Sequence, residues 1–170
     1  MTYHAQLLKA YEGEVIGQTF FSALAHGRAS VSEKQTLQFL AGLEVRTAGI
    51  LHPLIERYNL TPRSGHELNE EGLRDAGKYA GLEWGPLNAR FAADFPPYAD
   101  EFLAIERMAP EQDLSICKLV TAHEIALIAF AREEVEGTGL GMSHLLGYVA
   151  QIDSYNATCV ATSTAAAIRP

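Results

Sequence analysis

The stretch that decides the fold is Tyr11–Ala25, YEGEVIGQTFFSALA. It belongs to a longer window, Tyr3–His26, in which Leu7, Tyr11, Glu14, Gln18, Phe21 and Ala25 recur at spacings of three and four. That is the period of a helix with one buried face. At about 100° per residue, Leu7, Phe21 and Ala25 each lie about 20° from Glu14. A carboxylate therefore stands in the middle of an apolar stripe.

The same arrangement returns further along the chain. Gly27-Arg28-Ala29-Ser30 reads as a turn, and Ser32 with Gln35 as a capping box opening a second helix that runs to about Tyr58. On its wheel Leu37, Leu51 and Ile55 lie about 20° from Glu44, with Leu40 and Ala48 about 40° away. Pro53 is expected to bend it. A third helical window spans Pro86–Met108, where Pro96-Pro97 must kink or break it. A fourth runs from near Pro110 to Glu136, opened by the acidic Glu111 and Asp113 and closed by Gly137, Gly139 and Gly141. There Cys117, Ala131 and Val135 lie about 20° from Glu124, a third acid at the centre of a core stripe.

No segment alternates with period two, so the expected class is all-α. The Asn59–Gly85 segment is rich in Gly and Pro and too long for a tight loop. It is expected to hold a short helix near Glu67–Tyr79, with another near Met142–Tyr155. Two short connections flanking one long crossover between helices two and three give a single-crossover four-helix bundle over residues 1–156. The small-residue segment 157–170 is expected to be a poorly ordered tail.

Composition narrows the function. The 170 residues carry 13 basic and 21 acidic side chains, a net charge of −8, which argues against nucleic acid as a partner. No run of about 18 uncharged apolar residues and no basic-then-apolar start is present. No membrane partner is expected, and a cytoplasmic location follows by default. Cys117 and Cys159 form neither a disulfide framework nor a CxxC metal site, and Cys117 reads as a small buried hydrophobe. Walker, GxGxxG and GxSxG motifs are absent.

The three buried acids carry the chemistry. One such carboxylate is explained by snorkelling or by a buried arginine. Three in one bundle each cost several kcal/mol to bury ionised without a partner. Glu14 lies 16 residues before Ser30 and Glu44 lies 14 after it, so the two face each other across the hairpin. Metal bridging is the commonest way for facing buried acids to coexist. On helix three Asp94 is the best-placed fourth acid, as a ligand or as a surface group at the kink. Tyr11 and Gln18, one turn either side of Glu14, read as its hydrogen-bond supports or as edge-of-core residues. His123 points about 100° away from Glu124. It reads as a hydrogen-bonded core histidine, a support for the acids or an alternative ligand.

The segments YEGEVIGQTFFSALA, LEVRTAG (43–49) and TAHEIALIAFAREE (121–134) resemble the ferritin-like di-iron carboxylate superfamily, in its rubrerythrin-like members, over residues 3–136. Helices two and four also read as a weak repeat, Glu44 matching Glu124 and Glu56 matching Glu136. The family's site takes one Glu from each of two helices and a Glu-x-x-His from each of the other two. Glu14 matches the first lone Glu, and Glu44 and Glu124 the two motif acids. Thr47 and Leu127 stand where the family has its histidines.

The resemblance implies a metal-dependent oxidoreductase of di-iron type, with Glu14, Glu44, Glu124 and Asp94 lining the site. An all-carboxylate set favours Mg, Ca or Mn over zinc, with iron bound more weakly. The alternative is a non-enzymatic bundle without a metal cofactor, serving binding or dimeric assembly, its acids neutralised by protonation or by Arg46, Arg90 or Arg132. A third reading takes the acid-lined cavity as a small-molecule site. Helix four, apolar nearly all round, suggests a homodimer. The residues name neither the substrate nor a catalytic group.

Overall fold

The computed structural model describes the backbone of residues 1–167 and the side chains of residues 1–158. It is all-helical, with no strand among the described residues. Helix α1 (Tyr3–His26) starts at Thr2, whose side chain accepts from the Ala5 N–H. Helix α2 (Val31–Arg57) starts two residues earlier than expected: Ser30, not Ser32, is the cap, accepting from the Glu33 N–H. Both serines have a Glu or Gln three residues on. Ser30 is the first the chain meets, and Glu33 also pairs with Arg28 there. Pro53 lies inside α2, which continues past it.

The crossover carries α3 (Gly65–Gly77), opened by a complete Ser64/Glu67 capping box. It lies against α1 so closely that a Cβ on Gly72 would stand 2.6 Å from the Ile16 carbonyl oxygen. Only glycine permits that approach.

The third helical window is two helices, α4 (Trp84–Asp94) and α5 (Pro96–Met108), broken at Phe95. Pro96 lacks the N–H that would continue the ladder and starts α5 as its first residue. A 3-10 turn (Glu111–Asp113) leads into α6 (Leu114–Glu136), which ends on Gly137 at φ 67°. Helix α7 (Gly141–Ala167) is longer than the expected Met142–Tyr155. The expected tail, 157–170, falls mostly beyond the described side chains, and 168–170 lie outside the described residues.

Helix α1 packs along α2 and touches α5, while α6 packs against α2, α4 and α5. These contacts close a ring of four walls, the α4–α5 pair forming one. Outside it, α3 covers α1 and α7 covers α6. The core runs through Leu7, Phe21, Leu40, Leu51, Leu87, Phe91, Phe130 and Leu145. With neighbours on several sides, α6 buries residues around most of its circumference. Glu111–Glu136 is long and apolar enough to cross a membrane by length and composition, and 67% of its most apolar window is buried inside the bundle.

Two polar or aromatic knots fix the ends. At one, wholly buried Asp113 accepts from Tyr3 (3.0 Å), Tyr58 (2.6 Å) and Arg57, tying α1, α2 and the start of α6. At the other, Phe20, Phe21, Tyr79, Phe91 and Phe95 pack ring on ring.

Candidate metal centre

Between these ends the walls of the ring present acids to one another. Glu14 comes from α1 and Glu44 from α2, 2% and 4% exposed. They meet not Glu124 but His123 of α6, which is wholly buried. Its Nε2 lies 3.2 Å from Glu44 Oε1, within hydrogen-bonding geometry, and 3.4 Å from Glu14 Oε2. One ligand atom from each of the three residues lies within 4.8 Å of the others.

Gly17 makes the arrangement fit. It stands one turn after Glu14, and a Cβ there would lie 2.4 Å from Glu44 Oε2. The helix accepts about 1 kcal/mol of lost propensity relative to alanine at that position, and Glu44 occupies the space.

Two polar atoms of these side chains are left over. Glu14 Oε2 accepts no hydrogen bond despite its distance to His123, and His123 Nδ1 has no partner. Buried atoms of this kind cost about 1–3 kcal/mol each when unsatisfied. The charges respond accordingly. Burial, then the negative charges of Glu44 and Glu124, hold the Glu14 carboxyl well above the usual carboxylate range. Burial works against the His123 imidazolium, yet the Glu44 carboxylate and its hydrogen bond, with Glu124 behind them, outweigh it and raise His123. Glu124 is pushed up to about 7 by burial; His123 opposes that rise, while Glu44 and Glu101 add to it.

The sequence-derived residues divide clearly. Glu14 and Glu44 are brought together. Glu124 is buried beside them but outside the three-residue group. Asp94 is elsewhere: its carboxylate accepts from Tyr79 (2.6 Å) and Arg90 (2.5 Å) at the aromatic end. The break at Pro96 ends α4 at that level, where Phe91 and Phe95 meet Phe21, about 10 Å along α1 from Glu14. Nor does α5 replace it, since Glu101 pairs with Lys9 at the surface. Gln18 is exposed, and Tyr11 packs its ring against His52 at 6.0 Å. Neither supports Glu14. Cys117 is buried, with the Tyr3 hydroxyl 3.6 Å from its sulfur.

The residue missed altogether is Tyr148 of α7. Its ring centre lies 5.1 Å from that of His123, and its hydroxyl is 2.8 Å from Thr47 Oγ1. The visible signal was the stripe Leu145, Tyr148 and Ile152, all buried, but nothing in the sequence says what it faces.

No family model, curated protein or solved structure matches the chain. Function therefore rests on the donor set. Two ligands bound about 2.1 Å from a common ion stand about 3.0–3.5 Å apart at near-octahedral to tetrahedral angles, and the two observed spacings fall in that range. Imidazole plus carboxylates suits first-row transition ions better than Mg or Ca. Three donors gather here, against the six side chains that the family's di-iron site takes. Thr47 faces Tyr148, and Leu127 lies in the apolar core.

Proposed function

We propose that this protein is a divergent ferritin-like bundle that binds one divalent transition-metal ion through Glu14, Glu44 and His123. The observation that supports this reading is the convergence of three ligand atoms from three helices in the buried interior, with Glu14 Oε2 unpartnered there. Uptake of a cation ionises Glu14 and removes the Nε2 proton of His123, so binding releases protons. Iron or manganese so held would supply one-electron redox chemistry. The protein's part is to exclude water and hold the ligands, with Gly17 leaving room for Glu44.

The test is equilibrium dialysis of chelator-stripped protein against Mn(II), Zn(II), Co(II) and, without air, Fe(II). Near one equivalent per chain is expected for at least one ion, lost in both Glu14→Gln and His123→Ala. Substoichiometric uptake of every ion would overturn the reading.

A second reading has its own observation. The Glu44–His123 hydrogen bond and a protonated Glu14 make a charge-balanced cluster without metal, as in a bundle serving binding or assembly. Failure of all four ions in the dialysis favours it.

A further inference from the structure

We infer that Tyr148 is the positioning residue for His123, and that α7 thereby completes the metal centre. The metal-affinity part of this inference rests on the proposed function. The orientation of His123 does not.

A metal-binding histidine ordinarily has its ring fixed by a hydrogen bond from its other nitrogen. His123 has none at Nδ1. What lies near the ring instead is the aromatic ring of Tyr148, its centre 5.1 Å away and its plane inclined at 42°. Tyr148 is itself immobilised. It is 1% exposed and sits between Leu145 and Ile152 on the buried stripe of α7.

Its hydroxyl is tied to α2 with a defined direction. Thr47 Oγ1 donates its single proton to the Leu43 carbonyl, at 3.0 Å. Thr47 is therefore the acceptor in its 2.8 Å contact with Tyr148, whose O–H donates. The chain runs from Tyr148 through Thr47 to Leu43, the residue before Glu44. One anchored side chain on α7 thus indexes the histidine of α6 against the turn of α2 that carries a carboxylate ligand. An ion pair between Arg46 and Asp153 joins the same two helices at the rim. Thr47 occupies the position where a Glu-x-x-His motif would place a second histidine, and here it holds the tyrosine that orients His123.

The experiment compares Tyr148→Leu, Tyr148→Phe, Thr47→Val and Thr47→Ser with the parent protein. Folding is checked by circular dichroism. Two signals are read: Co(II) affinity with its visible ligand-field bands, and the nitrogen-15 NMR signal of the His123 imidazole in metal-free protein. Loss of an outer support lowers metal affinity by about 10–100-fold. Tyr148→Leu is expected to show a loss of that size with shifted bands and an altered imidazole signal. Thr47→Ser, which keeps the hydroxyl, restores both, and Tyr148→Phe and Thr47→Val fall between. A merely structural role would lower the melting temperature without moving the bands or the imidazole signal, and that result overturns the inference. If Tyr148→Leu does not fold, the near-isosteric Thr47→Val decides on the same two signals. If the parent takes up no cobalt, the metal reading fails, and the metal-free imidazole signal alone decides whether Tyr148 positions His123.

Discussion

Glu124→Gln is expected to stabilise the metal-free protein above pH 7 and leave it close to the parent in acid. Burial pushes the Glu124 carboxyl from 4.5 up to about 7. The unfolded chain releases this proton near the ordinary value while the fold keeps it, so the native state binds more protons between the two. Stability supplied by this group is fully present below 4.5 and is lost as pH rises to about 7. Above that, the ionised acid costs the fold roughly 3 kcal/mol. Glutamine keeps the volume and removes the charge. It also forfeits the attraction to His123, so the expected gain is about 1–3 kcal/mol. Urea denaturation with a chelator present, repeated across the acid-to-neutral range, measures it. A variant equal to or weaker than the parent at neutral pH, with the same difference at every pH, would refute the reasoning: Glu124 would then be a well-paired charge.

Three other outcomes follow from particular contacts. Gly17→Ala gains about 1 kcal/mol of helix propensity but drives its Cβ into Glu44 Oε2, so divalent-ion uptake by dialysis is expected to fall while the melting temperature moves little. Asp94→Asn is expected to leave ion uptake unchanged by the same dialysis, because Asp94 serves Tyr79 and Arg90. Asp113→Ala strips the shared acceptor from Tyr3, Arg57 and Tyr58, and urea denaturation is expected to show a loss of about 2–3 kcal/mol.

The positions of the acids were legible because helical spacing alone decides which residues share a stripe, and Glu14, Glu44 and Glu124 are all buried. The sequence leaves His123 open as a core histidine, a support for the acids or an alternative ligand, and does not place it between Glu14 and Glu44. Its angle from Glu124 argues against a shared site only on a helix with one buried face, whereas α6 is buried around most of its circumference by α2, α4, α5 and α7. The apolar character of α6 all round is the signal of that burial. Of the two readings of Asp94, ligand or group at the kink, the structure shows the second. A ligand role needs a helix continuous through Pro96, and the break gives α4 and α5 independent registers. Tyr148 lay beyond reach because the docking of α7 depends on Thr47 and Arg46, partners about a hundred residues away in sequence.

The central claim is that Glu14, Glu44 and His123 gather one ion. X-ray absorption spectroscopy of protein loaded with a single equivalent of zinc or manganese tests it most directly. Oxygen and nitrogen neighbours with the outer scattering of one imidazole, lost in His123→Ala and without a metal–metal vector, are the predicted result. No imidazole scattering, or scattering that persists in His123→Ala, would contradict it.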